Sequence, residues 1–445
     1  MMDRTRGLAR IALTSRSPVA YTPIRSTDTE HAAGTRASGI SRVHQDWRAA
    51  VGRTSVLVAF VLAVAGAGCS QSTEAQTGGA PIPFKLGSFE QNGRAFVGLV
   101  LRDTQVVDIA RANAAFETSN SSAPRLTPPA DMKQLIARYD AEWKDRLGAI
   151  ARMASGAGSA PAYAYALTGL KTLPPVRPSV QLNAGGNYVE HTEGIAANQA
   201  RGAGARGAAP AAAGARGAAP AAGARGGAPA TAAQTAPGIW ERRAGDTRDN
   251  PYLFQKSPSI LIGNNDSIVV PRGRTNIDFE CEFSAVIGKR AKYVPIESAS
   301  EYIFGYTAHH DVSDRGGRGD RKMGGSDWLI QKNHDTFGPL GPFIVPKEFI
   351  KDPMNTRHTM TLNSEVMQDS NTSRMSHNIY ELVSYASNIM TLNAGDVIAG
   401  GSPAGTNIER ADPRWMRAGD TAKCTIEGIG DLINPVVAES SASTN

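Results

Sequence analysis

Asp278-Phe-Glu-Cys-Glu-Phe-Ser-Ala-Val-Ile-Gly288 sets two carboxylates, Glu280 and Glu282, into a run that otherwise reads as an apolar β-strand. Side chains two apart on a strand project to the same face, so the two acids lie side by side while Phe279, Cys281 and Phe283 face the other way. Paired anions in an apolar strand are costly unless something positive sits between them. A second strand-like run, Tyr302-Ile-Phe-Gly-Tyr-Thr-Ala308, ends in His309-His310-Asp311 and brings a third carboxylate. Three carboxylates suit a hard divalent cation, Mg²⁺ or Mn²⁺, and Ca²⁺ takes the same oxygen donors. The rival reading is a solvated strand face, since such alternation is common in half-buried strands.

Other segments weigh against that rival. Gly186-Asn-Tyr-Val-Glu-His191 lies upstream. Asp311-Val-Ser-Asp-Arg315 and Lys332-Asn-His-Asp-Thr-Phe-Gly-Pro-Leu-Gly-Pro342 follow, and Gly400-Gly-Ser-Pro-Ala-Gly405 closes the apolar run Asp396-Val-Ile-Ala399. In this order they resemble the fumarylacetoacetate hydrolase family, whose pattern runs Asn-Tyr-x-x-His, Glu-x-Glu, Asp-Val-(Thr/Ser)-x-Arg, Lys-x-x-Asp-x-x-x-Pro-x-Gly-Pro and Gly-Thr-Pro-x-Gly. The likeness covers residues 180–437, with a weaker match to the family's small N-terminal domain.

The resemblance implies a β-rich α+β fold, a mixed β-roll catalytic domain behind a small N-terminal α/β domain, assembled as a homodimer. It implies Glu280, Glu282 and Asp311 as metal ligands, His191 as the base that activates water, and Lys332 as the cation that stabilises developing negative charge. Tyr188, Arg315 and Ser402 fall at substrate-binding positions, Arg315 as a carboxylate clamp and Ser402 as a hydroxyl donor. The chain departs from the family at the acid that holds the base. Short-chain members carry Glu three residues after the His, where this chain has Gly194. Glu193 is the nearest substitute, yet on a helix it lies almost opposite His191. His309, His310 and His334 are left out of the ligand set because three hard oxygens complete it.

The formal charge of +6 on 445 residues is local. Residues 1–68 carry nine Arg against four acids, and 195–237 carry four Arg and no acid, so the remainder is near −3 (+6 − 5 − 4). That gives no case for a nucleic-acid partner. Arg53-Thr-Ser-Val-Leu-Val-Ala-Phe-Val-Leu-Ala-Val-Ala-Gly-Ala-Gly-Cys69 has the layout of a signal peptide within a leader spanning 1–69, with its apolar core at 54–68. The expectation is export to the periplasm of a bacterium, with Cys69 as a lipid-anchor candidate and cleavage near Ala65 as the rival. The 52 residues ahead of this segment are long for an n-region and point to a start codon downstream of Met1; a mis-annotated leader would leave the protein cytoplasmic. Cys281 and Cys424 read as two separate buried thiols rather than a bridge, and zinc is disfavoured for want of a Cys/His cluster.

A small domain is expected over 82–175. It opens with a β-meander turned at Gln91-Asn-Gly and continues in a helix over 132–153, whose Leu135, Ile136, Tyr139, Trp143, Leu147, Ile150 and Met153 share a face. Residues 195–237 repeat Ala-Arg-Gly-Ala-Ala-Pro-Ala-Ala about every ten residues and read as a disordered insert in the lid region of the 180–437 domain. The one clear helix beyond it spans 378–389, with Leu382, Val383, Ala386 and Ile389 as its apolar stripe, and Trp328-Leu-Ile-Gln reads as a strand.

The function expected from the resemblance is metal-dependent hydrolysis of C–C bonds in acylpyruvate- or fumarylacetoacetate-like diketo acids. An isomerase or decarboxylase of 2-oxo-dioates from aromatic catabolism is the alternative. A third reading, of another class, is an exported relative that binds metal and ligand without catalysis, motivated by Gly194 and the insert.

Overall fold

The computed structural model describes residues 80–157, 160–205, 240, 242–318 and 327–440. The leader, Cys69 and most of the repeat lie outside the described residues. Among the described residues no helix is long and apolar enough to cross a membrane.

A two-residue turn starts the sheet. Asn92 and Gly93 both take positive φ (51° and 77°), the geometry that matches strand twist, and pair Lys85–Gln91 with Arg94–Leu101. Gln105–Asp108 completes the meander. Asp108 then caps a helix over Ile109–Ser119, accepting from the Arg111 amide. The helix expected over 132–153 forms in three pieces, Met132–Ala137, a π-turn at Tyr139–Trp143 and Lys144–Ser155. Its face packs as the spacing requires: Leu135, Tyr139, Trp143, Leu147 and Ile150 are buried, and Met153 sits at the margin.

The segment 82–175 is joined to the rest through its sheet. Lys85–Gln91 pairs antiparallel with Gly338–Pro346, making one mixed sheet of twelve strands. From there the order runs through Ile303–His310, Cys281–Ile287 and Val397–Ala399 to Gln181–Gly185 and Tyr252–Lys256. Val397–Ala399 pairs parallel with Gln181–Gly185, which brings the Gly400 turn beside the start of the His191 helix. A second sheet of five strands carries Arg357–Leu362, Thr421–Ile426 and Gly430–Ala438. Phe283 and Ile287 from the first sheet, Phe279 just ahead of it, and Met360, Ala422 and Ile426 from the second share one core. The fold is thus β-rich α+β.

Four expectations need correction. Cys281 and Cys424 form a disulfide across the two sheets, with Cα atoms 5.2 Å apart, because the sheet packing brings together residues 143 apart in sequence. Residues 195–205, expected as disordered, continue the helix Val189–Ala205, whose Asn198 amide is anchored on the carbonyls of Ile408 and Arg410. Trp328–Lys332 is a short helix rather than a strand, capped by Asp327. The helix over Ile379–Ile389 forms with an Asn378/Glu381 capping box, but Ile389 is exposed.

Candidate active site

The acidic run lies where two antiparallel strands end together. Cys281 pairs with His310 in register, so Glu280 and Asp311 meet just beyond, and the Asp311 amide donates to the Glu280 carbonyl (2.9 Å). Glu280, Glu282 and Asp311 are all buried, and their ligand atoms lie within 4.8 Å of one another. A solvated strand face is therefore excluded; Glu282 is 1% exposed.

Three cations serve this cluster. Lys332 Nζ reaches Glu280 Oε2 (2.8 Å), Asp311 Oδ2 (2.7 Å) and Ser313 Oγ (2.7 Å). Lys256, fully buried, donates to Asp311 Oδ1 (2.5 Å) and to the carbonyls of Val312 and Phe337. Arg315 spans Asp278 Oδ2 (3.1 Å) and Glu280 Oε1. Burial opposes the Lys332 ammonium, but Asp311 and Glu280 hold its pKa above the usual value. Burial likewise opposes the Asp311 carboxylate, yet Lys256 and Lys332 hold it well below its ordinary range. Lys256 was not foreseen as part of the site; in sequence it is an ordinary strand residue.

Glu282 is the exception. Among the described residues no cation pairs with it; its Oε2 accepts from the Gly401 amide (3.1 Å) and Asn183 Nδ2 (3.4 Å), while Oε1 is buried without a partner. Gly401 reaches it with φ +89°, where a Cβ would meet the Ala184 carbonyl at 2.9 Å. Burial, then the charges of Asp311 and Glu280, push the Glu282 carboxyl well above its usual range. Asp278, Glu280, Glu282 and Asp311 make four potential negative charges against the three positive charges of Lys256, Arg315 and Lys332. The orphaned oxygen and the missing positive charge both fit a divalent cation at Glu280, Glu282 and Asp311. The existing ion pairs do not exhaust the donors, because each carboxylate oxygen carries two lone pairs.

A cavity of about 620 Å³ opens beside this cluster and is lined by Glu280, Lys332, Arg315, Ser402 and His191, among others. His191 projects from the Val189–Ala205 helix, and its Nδ1 lies 2.5 Å from Glu409 Oε1. The carboxylate that holds the His191 imidazole is therefore Glu409, not Glu193, which is exposed on the helix. Glu409 Oε1 also accepts from the Thr406 amide (3.1 Å) and hydroxyl (2.7 Å), and Oε2 from the Gly405 amide (3.0 Å). Burial alone would raise its pKa; the hydrogen bond and charge of His191 and these donors hold it below the usual value.

Gly194 now has a physical reason. A Cβ there would meet Glu409 Oε2 at 2.7 Å and Cγ at 3.0 Å. The helix lacks a side chain where the carboxylate arrives from another segment. Gly194→Ala is expected to displace a carboxylate that cannot yield freely, at about 1–3 kcal/mol of overpacking. Kinetics should show kcat/KM falling about tenfold or more, with wild-type activity refuting the steric coupling.

Tyr188 does not reach the cavity lining. It is fully buried, and its hydroxyl faces His358 Nε2 (3.3 Å). Ser402 lines the cavity while its hydroxyl accepts from Gln368 Nε2 (2.9 Å). Arg315 lines it too, but its guanidinium is engaged by two carboxylates. His309 and His310 are pushed down to about 3 by burial, and His309 Nδ1 faces the Pro339 carbonyl (2.9 Å).

Fold and site together define a class: β-rich proteins that gather three carboxylates for a divalent cation beside a cavity. The fumarylacetoacetate (FAA) hydrolase C-terminal model matches residues 226–437. Oxaloacetate tautomerase FAHD2A, mitochondrial, of Bos taurus is 41% identical over 189 residues, covering 42% of this chain and 59% of that protein. An uncharacterized protein of Pyrococcus abyssi is 42% identical over 193 residues, covering 43% of this chain and 82% of the relative. Of solved structures, 5-carboxymethyl-2-hydroxymuconate delta-isomerase from Mycobacterium smegmatis matches with TM-score 0.50 at 26% identity, covering 80% of this chain and 100% of that one. Maleylpyruvate hydrolase from Sphingobium sp. SYK-6, in complex with manganese(II) and pyruvate, matches with TM-score 0.53 at 23% identity over the same shares, a likeness of fold. The chain belongs to the fumarylacetoacetate hydrolase family, and it spans about three fifths of the length of the tautomerases it matches.

Proposed function

We propose that the protein is a divalent-metal-dependent hydrolase of C–C bonds in acylpyruvate-type diketo acids. The observation that carries this reading is the His191–Glu409 pair, 2.5 Å apart, with His191 lining the cavity that Glu280 and Lys332 also line. Held by Glu280, Glu282 and Asp311, a divalent cation supplies Lewis-acid polarisation of a 2-oxo acid. With Nδ1–H donated to Glu409, His191 keeps Nε2 to take a proton from water. The resulting hydroxide adds to the acyl carbonyl carbon. The C–C bond then breaks, its electron pair moves onto the pyruvyl enolate, and His191 returns its proton to that carbon. The products are a carboxylic acid and pyruvate. Lys332 keeps a positive charge where the enolate oxygen develops, and the Ser402 hydroxyl offers a hydrogen bond to a substrate oxygen.

A second reading is keto–enol tautomerisation of a 2-oxo-dioate, favoured by the 41% identity to an oxaloacetate tautomerase. There His191 would move a carbon-bound proton and no water would add. The non-catalytic reading loses one of its two motives, because a carboxylate, Glu409, stands beside His191 although none is present at 194. One assay separates these. Full-length protein with Mg²⁺ or Mn²⁺ is given acylpyruvates and oxaloacetate in D₂O and followed by NMR. Release of pyruvate together with the acyl group's carboxylic acid from an acylpyruvate supports hydrolysis; carbon-3 exchange and enol decay above the enzyme-free rate without cleavage support tautomerisation; neither, alongside cation binding, overturns both.

A further inference from the structure

Among the described residues lining the cavity, Arg410 is the cationic side chain held by no carboxylate. Of the cationic side chains lining the cavity, Lys332 and Arg315 are tied to buried carboxylates. No carboxylate among the described residues lies within ion-pair reach of Arg410. Its Nε donates to the Gly405 carbonyl and its Nη2 to the Met367 carbonyl, each at 3.0 Å, and Nη1 has no partner among the described residues. Two neutral carbonyls fix the fork in place without neutralising it. A half-buried guanidinium so oriented is prepared for an anion, and its planar donors match a carboxylate. Ile195, Ile408 and Trp415 supply apolar wall in the same cavity, suited to a short carbon chain.

We propose that Arg410 is a specificity-determining residue that recognises a second carboxylate of the substrate, so that 2-oxo-dioates and acylpyruvates with a carboxylated acyl group are preferred. This rests on the reading above, in which the triad and Lys332 take the 2-oxo-acid head. The cations around the triad are already committed to protein carboxylates, which leaves Arg410 for the other end. The plain structural alternative is that Arg410 only braces the backbone at Met367 and Gly405.

The test compares each dicarboxylic substrate with its distal methyl ester, oxaloacetate and fumarylpyruvate serving as probes, on wild type, Arg410→Gln and Arg410→Lys. A charge-assisted hydrogen bond is worth about 1.5–3 kcal/mol, so Arg410→Gln should raise KM for the diacids about 10–150-fold. The esters should be unchanged, and Arg410→Lys should recover part of the loss. Equal treatment of acid and ester by the wild type, or the same change for both in Arg410→Gln, overturns the proposal. If no substrate turns over, calorimetry on the same pairs with Mn²⁺ decides. A diacid preference that Arg410→Gln abolishes upholds the site while the catalytic reading fails, and absence of a preference overturns the site.

Discussion

Glu409→Gln is expected to lower kcat by about 10²–10⁴-fold while leaving divalent-cation binding at the wild-type level. The carboxylate accepts from the Thr406 amide and hydroxyl and the Gly405 amide as well as facing His191 Nδ1. Its charge fixes the imidazole and stabilises the imidazolium that forms when His191 takes a proton. Gln keeps the size but loses the charge, and its amide nitrogen would confront one of these donors. None of these contacts touches Glu280, Glu282 or Asp311, so the cation site should survive. His191→Ala should behave alike: cation retained, turnover lost. A variant that keeps wild-type kcat would remove Glu409 from the chemistry.

Asp311→Ala should do more damage, and of a different kind. Asp311 is the shared partner of Lys256 (2.5 Å) and Lys332 (2.7 Å), both buried. Removing it leaves buried ammonium groups short of a counter-charge, at about 3–5 kcal/mol. For a domain of this size that is a fall in Tm of roughly 6–20 °C. Cation affinity should fall by more than the roughly 10–100-fold that follows loss of a supporting partner outside the ligand set. Thermal unfolding with and without Mn²⁺ reads both effects: the cation should raise the Tm of the wild type and leave that of the variant unmoved.

The carboxylate end of the site was legible because its signal is local. Glu280 and Glu282 sit two apart in an apolar run, Asp311 closes the next strand, and antiparallel pairing of neighbouring strands brings them together. The His191 end was not, because its partner comes from 218 residues away. Within Thr406-Asn-Ile-Glu409 the acid reads as a capping-box residue, which it also is, and nothing in that tetrapeptide announces a histidine. Gly194 was the available clue: an absent side chain three residues after His191 marks space taken by something else. The same distance hid the Cys281–Cys424 bridge, since two cysteines in strands of different sheets carry no spacing signal. Trp328-Leu-Ile-Gln is too short for periodicity to tell helix from strand; the Asp327 cap decides it. Tyr188 followed the family pattern by position, but its ring turns into the core.

The most direct measurement is a Mn²⁺ titration of the full-length protein by electron paramagnetic resonance, run in parallel on wild type, Glu282→Gln and Glu409→Gln. Glu282 has the buried oxygen without a partner, so its substitution removes a proposed ligand without unpairing any lysine. If the triad holds the cation, wild type and Glu409→Gln bind one Mn²⁺ with matching affinity and Glu282→Gln binds far more weakly. Equal binding by Glu282→Gln and wild type would contradict it.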